Sequence, residues 1–376
     1  MDLNQLLNIM SEKKASDLHL RVGAPPLLRV DGVLHPMGEN KLAPPDLNET
    51  KDLILTEKQK NTLDEEFAVD SSYSIEGFRR FRISVFYQRG TLAMVFRNIA
   101  TTVPTIEFLH LPQVLKTFCD KPQGLVLVAG PTGSGKSSTL AAMLQFINVT
   151  RRVHIVTIED PIEYLFRDNM AFITQREIGM DTPDYQIALK NTLRQDPDVM
   201  LIGEVRTMDT MNTALSAAET GHLVFTTVHA NSSYEAISRI VDTFPGDLRP
   251  QVRKQAADVL IGSIFQRLVP CRDGKGRVAA VEILVKSSRI KELIEKNEMK
   301  YIREEMERSL SVYRMQSFEQ SLIALLANKI IKYEDALSIT LLPGEMKLMM
   351  DKMGINENGD IMEKKGGIED GTGIVF

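Results

Sequence analysis

Between residues 113 and 285 the chain alternates short apolar runs with longer stretches in which apolar positions recur every three or four residues. The runs at 125–128, 154–158, 199–202, 223–228 and 279–285 are mostly apolar, which predicts largely buried strands. Strands of that kind, separated by amphipathic helices, predict an α/β core: a mostly parallel sheet with helices on both faces. Residues 1–100 mix helical and two-residue periodicities and predict a small α+β domain. Its clearest signal is the segment 28–34, in which Asp31-Gly32 sits between alternating apolar positions and predicts a tight hairpin. A second β-rich stretch, Phe78 to Ile99, carries Arg79, Arg80, Arg82, Arg89 and Arg97, as a solvated strand face would. Pro104 closes a linker over 101–112, residues 288–352 predict a C-terminal helical part, and 353–376, rich in glycine and charge, predict a disordered tail.

At 376 residues the chain has room for two or three cores, and 43% hydrophobic content is ordinary for a globular protein. Its two cysteines, Cys119 and Cys271, form no C-x-x-C pair, which points to a reducing compartment and away from a disulfide framework or thiolate zinc site. The polar opening and the lack of a long uncharged apolar run predict neither a signal peptide nor a membrane span. A net charge of −5 with interspersed signs gives no reason to expect a nucleic-acid partner.

One strand-to-helix junction changes the picture. Gly130-Pro131-Thr132-Gly133-Ser134-Gly135-Lys136-Ser137, followed by Ser138, lies between an apolar run and an amphipathic stretch. A phosphate-binding loop requires that context, because the unpaired N–H groups of a helix N-terminus then face the anion. Lys136 adds a mobile positive charge, and the Ser137 hydroxyl is placed to ligate Mg²⁺. Hydrolysis asks for more: a metal site, a group that orients water, and positive charge where the transition state gains negative charge. The strand at 154–158 ends in Glu159, Asp160 and Glu163, and the one at 199–202 ends in Glu204, both at the strand edge where parallel-sheet folds bind ligands. Glu204 there would hold Mg²⁺ through water or orient the attacking water. His222 and His229 bracket a further strand, so their rings lie on the order of 20 Å apart and cannot share a zinc ion. His229, at the carboxyl end, is placed to reach a terminal phosphate, whereas His222 reads equally well as a buried structural histidine.

Four segments together resemble the PilT/PilU family of type IV pilus retraction ATPases within the secretion-ATPase superfamily. The loop at 130–137 matches its Walker A, Ile158-Glu-Asp-Pro-Ile-Glu163 its acidic box, Met200-Leu-Ile-Gly-Glu204-Val-Arg206 its Walker B, and Thr220 to His229 its histidine box; Ala15 to Leu20 is similar to its opening segment. The resemblance implies a RecA-like ATPase core over 113–287 behind a PAS-like α+β domain over 1–100, with ATP and Mg²⁺ as its nucleotide and metal. It implies that Glu163 activates or positions water, Glu204 supports Mg²⁺ and hydrolysis, and His229 contacts the γ-phosphate. Arg82 and Arg97 would reach the nucleotide as fingers. It further implies a homo-hexamer, alone or with a paralogous retraction ATPase, acting on an inner-membrane pilus platform protein from the cytoplasmic side, with neither nucleic acid nor zinc.

Assembly and retraction motors share the four boxes, so the direction of work rests on other residues. The chain lacks the long N-terminal region and four-cysteine insertion usual in assembly ATPases. The stretch Arg289-Ile-Lys-Glu-Leu-Ile-Glu-Lys296 keeps the apolar positions of the retraction segment AIRNLIRE and departs at its charged ones. Phe86-Tyr-Gln-Arg and Met315-Gln-Ser-Phe-Glu-Gln resemble the PilU branch, an accessory motor that works beside a main one. The other readings are a type II secretion or pilus assembly ATPase, a nucleic-acid translocating hexamer, and a ring subunit that binds nucleotide without hydrolysing it.

Overall fold

The computed structural model describes residues 2–75 and 79–360, and these fall into two compact units. The first comprises residues 1–103 with the later segments 160–166 and 177–183. It opens with helix α1 (Leu3–Glu12), capped by the Asp2 carboxylate on the Gln5 amide, and continues into β1 (Asp17–Arg21), β2 (Leu27–Val30) and β3 (Val33–Pro36). Helices α2 (Pro44–Ile54) and α3 (Glu57–Glu66) precede β4 (Ala68–Ile75), β5 (Arg79–Gln88) and β6 (Thr91–Asn98). The expected hairpin is present: Val30 pairs with Val33 across Asp31 and Gly32, at φ 47° and 82°. Of the second arginine-rich stretch, Phe78 lies outside the described residues.

The six strands form one sheet in the order β3-β2-β1-β6-β5-β4. Leu18, Ile83 and Phe96 align across β1, β5 and β6 and bury one face with Leu20, Phe81 and Val85 against Leu7, Met10, Leu47 and Leu63. Period-two geometry sends the alternate residues to the other face, where Arg29, Asp17, Arg97 and Arg82 form a continuous cross-strand row.

The second unit holds a seven-stranded sheet. After α4 (Val114–Cys119), its strands are β7 (Gly124–Ala129), β8 (His154–Glu159), β9 (Phe172–Glu177), β10 (Val199–Ile202), β11 (Leu223–Val228), β12 (Leu260–Pro270) and β13 (Arg277–Val285), in the order β13-β12-β7-β11-β10-β8-β9. Helices α5 (Lys136–Thr150), α6 (Tyr185–Thr192), α7 (Met208–Glu219), α8 (Ser233–Asp242) and α9 (Arg249–Val259) connect them. The pairings β8–β10–β11–β7–β12 are parallel, and every residue of β7, β10 and β11 is buried, as their largely apolar sequences required. Among the expected strands, 279–285 differs in direction: β13 runs antiparallel to β12 and closes the edge as a hairpin, with register from Gly262↔Val285 to Pro270↔Arg277. β12 itself escaped the pattern because Ser263, Gln266 and Arg267 interrupt its apolar positions. β9, with four half-buried residues on an edge, was equally silent.

The C-terminal helical part packs onto the sheet, and the start of the tail differs from expectation. The C-terminal helices, α10 (Ser288–Glu295), α11 (Ile302–Arg308), α12 (Leu310–Tyr313), α13 (Phe318–Ala327), α14 (Tyr333–Ile339) and α15 (Pro343–Met353), belong to the same compact unit as the sheet. Phe318 meets Phe265 of β12 ring to ring at 5.2 Å, and the Ser321 hydroxyl accepts from Val281 N–H, so no separate core exists there. The tail expected to be disordered from 353 is packed through residue 360: Ile355 is 4% exposed, and Asp360 pairs with Lys329 at 2.9 Å. The remaining tail lies outside the described residues.

Candidate nucleotide site

Strand register assembles the carboxyl edge of the seven-stranded sheet. Val228 pairs with Ala129, so His229 of β11 ends level with Gly130, the first residue of the loop after β7. Ile202 pairs with both Ile158 and Thr226, which brings Gly203 and Glu204 beside Glu159 on one side and Thr227 on the other. Local sequence explains why the chain opens here: each buried apolar strand stops at a glycine or a charged residue, which supplies a turn and a polar edge together.

The loop at 130–135 is built for an anion. Gly130 sits at φ 148°, and a Cβ there would come within 2.6 Å of the Ser134 hydroxyl and 2.5 Å of the Gln266 carbonyl. Gly135, at φ 88°, is the N-cap of α5 and offers no side chain, whereas Asp184, Thr207 and Ser232 cap α6, α7 and α8 through their side-chain oxygens. The first amides of this fifteen-residue helix are thus without a side-chain cap in the place where a phosphate would receive them. The Ser134 hydroxyl, buried and without a hydrogen-bond partner, and the half-buried Lys136 ammonium complete a donor set that fits a polyphosphate. Lys136 Nζ donates to the Gly130 and Pro131 carbonyls at 2.9 and 3.0 Å. Burial holds its pKa below the usual lysine value, with Glu204 opposing that shift.

Gln266 was missed by the sequence reading, yet it holds the loop in shape. Buried to 1% exposure, it donates from Nε2 to Ser134 O at 2.8 Å and accepts at Oε1 from the Thr139 hydroxyl at 2.8 Å, tying loop and helix to β12. The sequence carried no signal for it, because Ser263 and Arg267 break the apolar pattern of the same strand.

Glu204 is paired with the exposed Arg206 at 2.8 Å. Its backbone neighbour is fixed on both sides: Gly203 N–H donates to Ile158 O at 2.8 Å, and Gly203 O accepts from the Thr227 hydroxyl at 2.6 Å. The His229 pKa lies below the usual histidine value, because of partial desolvation of the ring first and the Lys136 charge second, with Glu204 opposing. A neutral imidazole at that edge can hydrogen-bond a phosphate oxygen in either tautomer. His222 instead meets Ala217 O through Nδ1 at 3.0 Å at the opposite end of β11, a structural role.

Lys136, Glu204 and His229 therefore come together in the second unit. Glu163, Arg82 and Arg97 belong to the first. Glu163 is exposed, on a segment held by the Leu165 N–H to Ala100 O bond at 3.0 Å. Arg82 and Arg97 face each other across β5 and β6, and each has a carboxylate: Asp70 at 3.5 Å and Asp17 at 2.9 Å. Among the described residues no group of three or more His, Cys, Asp or Glu side chains is arranged to hold a metal, and no helix is long and apolar enough to cross a membrane.

A mostly parallel sheet in which an interior strand runs through a phosphate-binding loop into a helix without a side-chain cap, with a carboxylate at a nearby strand end, defines a P-loop ATPase core that binds nucleotide. The sequence matches the type II/IV secretion system protein family over residues 2–330, and the chain belongs to that family. It is 41% identical to the type IV pilus ATPase PilU of Pseudomonas aeruginosa across 96% of this chain and 94% of that one. Against PilT of the same organism, described as a type IV pilus retraction ATPase, it is 40% identical across 89% of this chain and 97% of the other. The crystal structure of the pilus retraction motor PilT with bound ADP superposes with a TM-score of 0.84 at 41% identity, covering 93% of this chain and all of that one.

Proposed function

We propose that the chain is an ATP-hydrolysing motor of type IV pilus retraction, nearer to the accessory PilU branch, working as a hexamer at the cytoplasmic face of the inner membrane on a platform protein. The observation that carries the hydrolytic part is the convergence of Lys136, Glu204 and His229 at one sheet edge. Retraction rests on similarity over nearly the whole length of two pilus ATPases.

In this reading ATP is the substrate. The amides at the start of α5 and Lys136 would hold its phosphates, and Ser137 and, through water, Glu204 would hold Mg²⁺, which would supply positive charge to the reacting phosphates. Glu204 stands just past the carboxyl end of β10, His229 offers a neutral imidazole to a terminal oxygen, and Glu163 orients the attacking water. Arg82 and Arg97, with side chains 41% and 66% exposed, serve as fingers after exchanging Asp70 and Asp17 for phosphate. Turnover in the resulting ring does mechanical work by moving one unit of each chain relative to the other.

Counting surface pili tests the assignment. Cells lacking the chain are expected to carry an excess, reversed by the parent chain and not by Lys136→Ala. A count that stays unchanged whether or not a paralogous retraction ATPase is present overturns the retraction reading. Light scattering with ATP bound tests the hexamer, and a monomer there removes it.

A further inference from the structure

Beyond the backbone ladder between β10 and β11, a side chain ties the peptide before Glu204 to the strand that leads to His229. Thr227 lies in β11, 8% exposed, and its hydroxyl donates to the Gly203 carbonyl at 2.6 Å. That carbonyl belongs to the peptide leading into Glu204, so the bond fixes the plane from which the carboxylate departs. The other side of Gly203 is held as well, by its N–H to Ile158 O at 2.8 Å. The glycine also lets the two strands come close, since a Cβ there would meet the Tyr185 hydroxyl at 2.9 Å and the Ile158 carbonyl at 3.2 Å. Two residues beyond Thr227 stands His229, whose ionisation responds to both Lys136 and Glu204. A threonine in the middle of a strand gains little from its hydroxyl unless the hydroxyl is used, and a buried one costs free energy when it has no partner. Here it is used across strands, at the one carbonyl adjoining the carboxylate.

From this geometry we infer that Thr227 is a positioning residue for hydrolysis: its hydroxyl sets the height and direction of Glu204 relative to His229 without touching the nucleotide. The inference rests on the ATPase reading of this edge, in which Glu204 acts on the attacking water or the metal. A carboxylate displaced by a fraction of an ångström still lets the phosphate loop bind ATP, since none of the loop's donors depends on Thr227. It fails at the chemical step, where orientation counts.

The test uses the purified full chain and three substitutions. Thr227→Val keeps the volume and removes the donor, Thr227→Ser keeps the donor, and Glu204→Gln serves as the reference. Thr227→Val is expected to lower kcat by about 10- to 100-fold while ADP affinity, read by titration, stays within about twofold of the parent. Thr227→Ser is expected to restore kcat to within about threefold. If Thr227→Val does not fold, Thr227→Cys, of similar volume and with only a weak donor, takes its place under the same split between kcat and affinity. Parent-like kcat in Thr227→Val or Thr227→Cys, with Glu204→Gln slow, overturns the positioning role alone. A loss that Ser does not rescue, or one shared equally by affinity and kcat, reduces Thr227 to a structural residue. Parent-rate turnover in Glu204→Gln overturns the reading of the site itself.

Discussion

The charges at the carboxyl edge of the parallel sheet and those on the open face of the antiparallel sheet are handled in opposite ways. On the antiparallel sheet the arginines are paired with carboxylates: Arg97 with Asp17, Arg82 with Asp70, and Arg80 with Glu177 at 3.4 Å. At the parallel edge Lys136 leans on two backbone carbonyls, and its pKa is lowered by burial. Carbonyls solvate an ammonium without neutralising it, so the field of that charge remains for a ligand, whereas a paired guanidinium has spent most of its field on its partner. The lesson is that a count of cations in a motif says little about a site, and the partners they already hold say more.

The first way to break that comparison is to remove the uncommitted charge. Lys136→Ala is expected to abolish phosphate release, a loss of about 100-fold or more, with circular dichroism and thermal midpoint near the parent's, because Lys136 anchors no packing. Turnover at the parent rate would mean that the edge does not bind phosphate. A smaller effect belongs to the scaffold behind it. Gln266→Ala cuts the ties from β12 to the loop and to α5 and leaves Ser134 O without its donor, so nucleotide affinity is expected to fall about tenfold, with kcat at saturation changing less. Equal losses in both would show that β12 shapes the chemistry as well as the cradle.

These two residues mark how far the sequence could be read. Lys136 was legible because a phosphate loop needs its glycines, lysine and serine in one order, a local requirement that tertiary structure does not alter. The strands around it were legible from equally local patterns, being mostly apolar runs. Gln266 and Thr227 were illegible, since each acts on a carbonyl brought to it from a distant part of the chain, and a lone polar residue in a strand does not name its partner. β12 was lost to that same polarity, and with it the antiparallel closure by β13. The placement of Glu163 with the first unit was also hidden, because sequence continuity assigns it to the strand it follows while the bond from Leu165 to Ala100 assigns it elsewhere.

The smallest expected effect sharpens the other side of the comparison. Asp17 is 4% exposed, and burial by itself would raise its pKa. The Ser16 hydroxyl at 2.8 Å and the Arg97 guanidinium, through hydrogen bond and charge, outweigh that and leave it below the usual aspartate value. A carboxyl with a lower pKa in the folded chain than in the unfolded one binds fewer protons when folded, so stability rises with pH across the interval between the two values. Its contribution is complete above the unfolded aspartate pKa and disappears as pH falls through the folded one. Asp17→Asn removes the titration, so it should cost roughly 1–3 kcal/mol near neutrality, and the gap from the parent should close in acid. Denaturant melts of both chains from neutral to acidic pH measure that gap. A gap that persists undiminished in acid would mean that Asp17 supplies packing and not charge, and Arg97 would then count as an uncommitted cation like Lys136.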